Sequence, residues 1–338
     1  MITSACNAGA QPDANYPHTG NGVRVVCIGE TMLMFAPPPY ELIEYCDHFQ
    51  VLLGGAESNV AIGLERLGVH AGWIGKLPSN ALGRKIVNEM RSLGVDTSAV
   101  VWTQGGRVGT FFVEWGTAPR PLKTIYDRAN SASATLTADD LDWDYVTGAD
   151  WVALTGITPA LSAVCHETTL TIARRTREAG RKVLLDLNYR ALLWSPGEAR
   201  AAFEQLLPHV NLLVATEADL HLLLGEIPDR RAALRQAMQR YPLEAAVVTL
   251  GDEGSLAFDG QAYYAAAGHA AQTVNRLGAG DAFVAGLLYG YMQADLQTGL
   301  RYGSAMAAIK LTIPQNIPLV NREDVERLVA EGSIGMVR

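Results

Sequence analysis

Four residues near the C-terminus, Gly278-Ala279-Gly280-Asp281, are of types that together could move a charged group onto a hydroxyl. Two glycines within three positions let backbone N–H groups converge into a nest for an anion. The apolar run that follows, Ala282 to Leu288, predicts a buried helix whose first N–H groups and positive dipole end strengthen the same nest. Asp281 then has two readings. It caps the helix, as aspartate often does, or it accepts the proton of a hydroxyl that attacks a phosphoryl group held in the nest.

Other stretches carry compatible chemistry. Gly54-Gly55 precedes a predicted helix containing Asn59 and offers a second place for close backbone approach, or a plain turn. Thr249-Leu250-Gly251-Asp252-Glu253-Gly254 closes a strand with two glycines and is a second candidate phosphate cradle. Asp186, Asn188 and Arg190 alternate at a strand end, which sends all three to one side if the chain stays extended. Tyr126 and Arg128 alternate in the same way, with Asp127 opposite. Each arginine could simply pair with a neighbouring acid. Two at strand ends in an acidic chain fit an anionic ligand better.

The bulk properties narrow the classes. The 338 residues carry a net charge of −8, which speaks against nucleic acid as the main partner. A hydrophobic share of 49% fits a well-buried globular chain, and no window of about 18 apolar residues marks a membrane span. Cys6, Cys27, Cys46 and Cys165 show no CxxC or zinc spacing and are expected as reduced thiols in the cytoplasm. The scattered histidines form no HExxH, so no protein-built metal site is expected. Residues 1–22, rich in Ala, Asn, Gly and Pro, are expected to be a disordered tail.

The elements that must position these residues follow from periodicity. Strands are predicted at 23–30, 32–35, 70–75, 151–155, 182–187, 211–215 and 245–250. Helices are predicted after Gly55 as far as Leu67, over 81–93 and near 161–179, 198–207, 216–224 and 229–240. From Trp151 onward strand and helix alternate, which implies a parallel sheet covered on both faces. Val108–Trp115 and Lys123–Arg128 read as a hairpin and, with Met32–Phe35, as a small separate sheet. A second hairpin turns about Asp259-Gly260, and helices at 278–293, 296–312 and 322–330 close the chain. Ligands of such sheets bind beyond the carboxyl ends of the strands, where the residues above fall.

Gly54-Gly55-(x)3-Asn59 ahead of Leu67-Gly68, together with Gly278-Ala279-Gly280-Asp281-Ala282-Phe283, resembles the two signatures of the ribokinase-like (PfkB) carbohydrate kinases. The resemblance runs from Val23 to about Val329. Gly29-Glu30, Tyr126 to Ala132, Thr155 to Ser162 and Leu185 to Arg190 with Leu193-Trp194 are similar to 2-keto-3-deoxygluconate kinases. It implies one α/β kinase domain over 23–338, a central mainly parallel sheet flanked by helices, with a small β lid inserted near 31–52 and 107–129. It implies Asp281 as general base and Gly278, Ala279 and Gly280 as anion hole. Gly54, Gly55, Asn59, Tyr126, Arg128 and Arg190 go to the sugar acid, and Thr249, Gly251 and Gly254, with Gly278 and Gly280, to ATP. Magnesium would arrive with the nucleotide, Asp219 reaching it through water. A homodimer through the lid is expected from its sheet edge.

Three positions depart from that pattern. Asn275 stands where most relatives carry an aspartate linked to a monovalent-cation site, so use of that ion stays open. Thr216-Glu217-Ala218-Asp219 takes the place of Asn-x-x-Glu, and Gln315-Asn316 replaces a glycine near the adenine end. The rivals to a sugar-acid kinase are a neutral-sugar kinase such as a fructokinase, and a silent relative that only binds.

Overall fold

The computed structural model describes residues 22–39, 41–116 and 119–331. The expected tail, apart from Gly22, lies outside the described residues. In chain order the elements are β1 (Val25–Ile28), β2 (Met32–Ala36), β3 (Gln50–Gly54), α1 (Ala56–Arg66), β4 (Ala71–Ile74), β5 (Lys76–Pro78), α2 (Ala81–Ser92), β6 (Val101–Thr103), β7 (Thr110–Glu114) and β8 (Lys123–Asp127). There follow α3 (Trp143–Gly148), β9 (Trp151–Thr155), α4 (Ala163–Glu178), β10 (Lys182–Asp186), α5 (Pro196–Leu206), β11 (Leu212–Thr216), α6 (Glu217–Leu224), α7 (Arg230–Arg240) and β12 (Ala245–Thr249). The chain ends with β13 (Ser255–Phe258), β14 (Tyr263–Ala266), α8 (Ala279–Gln293), α9 (Leu296–Leu311) and α10 (Arg322–Glu331).

The main sheet has eight strands in the order β14-β13-β12-β11-β10-β9-β1-β4. It is parallel from β12 to β4, and only the β13–β14 hairpin end is antiparallel. Alternate residues of each strand go to opposite faces. Val25 and Cys27 join a core with α1, α2, α8, α9 and α10, whereas Val26 and Ile28 join one with α3 to α7. Both faces are therefore dry, and strands such as Trp151–Thr155 are buried at every position.

A second sheet, in the order β3-β2-β7-β8, is entered after a three-residue link from the carboxyl end of β1. Its β7–β8 hairpin was legible from composition, while β3, the two-stranded β5–β6 sheet and α3 were not.

Helix starts divide into two kinds. In α2 to α7 and in α9 a side chain, such as Asn80, Ser195 or Asp295, accepts a hydrogen bond from a first-turn N–H. Helices α1 and α8 instead begin on Gly55 and Gly278 with no side-chain cap. The Ala279 N–H donates to the Arg276 carbonyl at 3.3 Å, and no side chain caps the rest of either first turn. These two helices pack so closely that a Cβ on Gly63 would lie 2.7 Å from the Ala285 methyl. The two uncapped starts flank one cleft.

Candidate active site

Gly278 adopts φ 82°, ψ 1°, a left-handed conformation that favours glycine. A Cβ there would meet the Asn316 carbonyl oxygen at 1.9 Å. The turn therefore depends on glycine both by dihedral and by space. Asp281 is the third residue of α8 and makes no cap, so the reading of it as a helix cap is corrected: Gly278 occupies that position.

The carboxyl of Asp281 is 8% exposed and accepts a 2.6 Å hydrogen bond from Asn59 Nδ2. Burial pushes its pKa up to about 6, against the pull of the Asn59 hydrogen bond and the positive charges of Arg190 and Lys310. It is thus ionised at neutral pH yet basic enough to take a proton. Asp186 is pushed up to about 7, chiefly by burial, with Asp219 and Asp281 adding repulsion. Glu57, also raised chiefly by burial, accepts from the Thr155 and Thr158 hydroxyls at 2.6 and 2.7 Å.

One side of the α8 start is a narrow cleft of about 90 Å³, bordered by Glu30, Gly54, Gly55, Asn59, Phe111, Tyr126, Arg128, Arg190, Gly278, Asp281 and Asn316. It adjoins a wider vestibule of about 580 Å³ that shares Tyr126, Arg128 and Arg190 and adds Thr124, Leu161, Tyr189 and Leu193. Gly54 and Gly55 serve here by what they lack. A Cβ on Gly54 would strike the Phe111 ring at 2.3 Å, and one on Gly55 the Glu30 carbonyl at 2.4 Å. Tyr126 stacks on Phe111 with ring centroids 5.4 Å apart.

The two arginines differ. Arg128 Nε donates to Glu30 Oε2 at 2.9 Å, and Glu30, itself 2% exposed, also accepts from the Ser131 hydroxyl. Arg190 is exposed, and its side chain makes no hydrogen bond or ion pair among the described residues, although its carbonyl accepts from the Leu193 N–H at 2.9 Å. The expected alternation at the end of β10 does not persist. The strand stops at Asp186, and Asn188 turns left-handed at φ 39° so that its Nδ2 donates back to Asp186 Oδ2 at 2.8 Å. Asparagine tolerates that conformation because its short polar chain bonds locally.

On the other side of the α8 start lies a cleft of about 260 Å³, bordered by Thr249, Gly251, Asp252, Gly254, Gly268, His269, Arg276, Ala279, Gly280, Phe283 and Leu311. Gly254 is left-handed at φ 104° and has the Ala266 carbonyl 2.1 Å from where a Cβ would be. A Cβ on Gly280 would meet nothing within 4 Å. One uncapped helix start thus separates a polar cleft containing a raised carboxylate from a cleft where glycines and apolar side chains alternate with Thr249, Asp252, His269, Arg276 and Ser304.

The sequence matches the pfkB family carbohydrate kinase profile over residues 23–319. It is 40% identical to the 2-dehydro-3-deoxygalactonokinase of Haloferax volcanii over 93% of this chain and 99% of that one. The chain belongs to the pfkB family of carbohydrate kinases. It is also 31% identical to the 2-dehydro-3-deoxygluconokinase of Bacillus subtilis, over 86% of this chain and 90% of the relative. The crystal structure of the Thermotoga maritima 2-dehydro-3-deoxygluconokinase superposes with a TM-score of 0.86 at 33% identity, covering 91% and 98% of the two chains. The fold is that of the ribokinase-like kinases.

Within this carbohydrate kinase, the residues read from sequence fall on the two clefts. Asp219 stands apart in one respect: its Oδ2 is taken by the Thr216 N–H and hydroxyl in a reciprocal cap of α6. No group of three or more His, Cys, Asp or Glu placed to hold a metal occurs among the described residues. The loop at Asn275 does not fit a monovalent cation. The Asn275 side chain donates to the Pro314 carbonyl at 2.7 Å and accepts from the Leu277 N–H at 2.9 Å. The Lys310 ammonium takes the carbonyls of Asn275 and Ile313.

Sequence reasoning singled out neither Lys310 nor Glu57, used Glu30 only in the resemblance, and put Asn316 near the adenine end, whereas Asn316 borders the polar cleft beside Asp281. The signal for Lys310 was a single charge in the apolar run from Ala305 to Leu311. Among the described residues, no helix is long and apolar enough to cross a membrane.

Proposed function

We propose that the enzyme transfers the γ-phosphoryl group of ATP to the terminal hydroxyl of a 2-keto-3-deoxy sugar acid, with 2-keto-3-deoxygluconate the first candidate. The observation that carries this reading is the division of two clefts by the α8 start, with Asp281 on the polar side. Asp281 accepts the proton of the attacking hydroxyl. The main chain of Gly278 to Gly280 faces the transferring group, where the N–H groups of Gly278 and Gly280 stabilise its charge without reorganising.

Asn59 orients the base through its 2.6 Å bond to Oδ2. Its own Oδ1 and that of Asn316 are buried without a partner beside the polar cleft, a vacancy that substrate hydroxyls would satisfy. Arg190, exposed at the cleft and in no direct ion pair among the described residues, pairs with the substrate carboxylate. Glu30, itself bonded by the Ser131 hydroxyl, holds Arg128 where it joins the small sheet to the body. That sheet acts as a lid, excluding water that would otherwise accept the phosphoryl group.

Thr249, Gly251, Gly254 and Gly280 admit the nucleotide, with Phe283, Ala308 and Leu311 against its apolar parts. Magnesium carried on the phosphates would supply charge neutralisation, with Asp219 contributing through water.

The C4 epimer, 2-keto-3-deoxygalactonate, is the second reading, because the 40% identical relative is named for it. A coupled ATP-turnover assay with both epimers and fructose tests the reading. Either sugar acid should exceed fructose in kcat/KM. Preference for fructose would refute the acid reading, and no turnover with any sugar or sugar acid would favour a silent binding relative.

A further inference from the structure

Lys310 is fully buried, near the C-terminal end of α9. Its Nζ donates to the main-chain carbonyls of Asn275 at 3.2 Å and Ile313 at 3.4 Å, and no carboxylate pairs with it among the described residues. An unpaired buried ammonium is costly, and a methionine of similar volume would fill the space more cheaply. A charge kept there has work to do. Val274 and Asn275 donate their N–H groups to the Leu311 carbonyl, so this end of α9 and the 274–278 loop are one unit. That loop ends on Gly278, the start of α8.

We propose that the Lys310 ammonium is a built-in cation that holds the loop leading to the anion hole, in place of an alkali-metal ion, so that the kinase turns over without one. This rests on the reading of Gly278 to Asp281 as the reacting end of α8. Lys310 touches neither substrate and is a positioning residue. Three features support it. The ammonium is held by main-chain carbonyl oxygens alone, as an alkali ion would be. The Asn275 amide, neutral and already bonded to Pro314, supplies no negative charge to attract a free cation. Burial brings the Lys310 pKa down to about 8 against the pull of Asp281, which leaves it mainly protonated at pH 7 and acting on that carboxylate.

The test begins with the wild-type enzyme, freed of alkali ions and titrated with potassium chloride at ionic strength held constant by choline chloride. Turnover and thermal midpoint should both be unchanged by potassium. A several-fold potassium-specific rise in turnover would overturn the proposal, whatever the variants do. Lys310→Met should fold with an unchanged or higher thermal midpoint and lose about 10- to 100-fold in kcat, with the KM for the sugar acid nearly kept. Its acid limb should move to higher pH, because Asp281 loses a stabilising charge. A folded Lys310→Met enzyme with wild-type kcat and an unmoved limb would also refute the proposal. If that variant does not fold, the wild-type titration alone decides. Wild-type turnover in Asp281→Asn would refute the base reading without bearing on the potassium result.

Discussion

The two sides of the α8 start are built from different materials. The polar side is made of side chains brought from two helices, the small sheet and four connecting segments: Glu30, Asn59, Tyr126, Arg128, Arg190, Asp281 and Asn316. The other side draws on four glycines and five apolar residues, with Thr249, Asp252, His269, Arg276 and Ser304 among them, from β12, its following turn, the segment before α8, α8 and α9. A site of fixed side chains discriminates, since each mismatched hydroxyl or charge leaves a buried group unpaired. A site of backbone accepts a shape common to many reactions. Choice of sugar should therefore reside on the first side and phosphate binding on the second.

The largest break in that comparison is at their shared boundary. Asp281→Asn should cut kcat by about 100- to 10,000-fold while leaving the circular-dichroism spectrum intact. In the wild type, kcat/KM should fall below a limb between about pH 6 and 7, where Asp281 and its neighbour Asp186 take up protons. The sign follows from the raised pKa: the base works only when ionised, so activity is lost as pH falls. A flat profile down to pH 5, or near-wild-type turnover in the variant, would remove Asp281 from the base role.

Next, on the polar side, Arg128→Leu should mainly affect stability. It leaves Glu30 buried and unpaired, at a cost of about 3–5 kcal/mol, read as a lower denaturation midpoint. Adding Glu30→Gln should restore part of it. If Arg128→Leu is as stable as the parent, the ion pair contributes nothing to joining the sheets.

Arg190→Leu should do the opposite. With no partner to strand, it should keep stability and raise the KM for the sugar acid about 10- to 150-fold. The KM for ATP should hold, and lysine should recover only part of the loss. An equal penalty on acid and neutral sugars would make Arg190 structural.

The smallest effect belongs to the backbone side. Gly280→Ala places a methyl in open space at the cleft and should raise the KM for ATP a few-fold, sparing the sugar. A larger effect on the sugar than on ATP would mean that the two sides are not independent.

The sequence alone determined what is local. Alternating apolar strands and amphipathic helices after Trp151 specify a doubly covered parallel sheet, because each period admits one way to bury its face. Gly278-Ala279-Gly280-Asp281 specified a left-handed turn into a helix, because few other residues can make it. Even so, the side chain of Asp281 could be read as a cap until Gly278 was seen in that place.

What tertiary structure decided is which charges meet. Glu30 and Arg128 are 98 residues apart, Asn59 and Asp281 are 222 apart, and no period links either pair. From sequence Arg128 and Arg190 looked equivalent. Only folding gave one of them an acid and left the other free. The extended run through Arg190 failed for a similar reason, since Asn188 could form its bond to Asp186 only where the sheet ends. Lys310 shows the same limit: its lone charge was visible in an apolar helix, but one of the two carbonyls that receive it, that of Asn275, comes from a loop 35 residues away. Electrostatic pairing acts through space, so it becomes legible only once the chain has closed on itself.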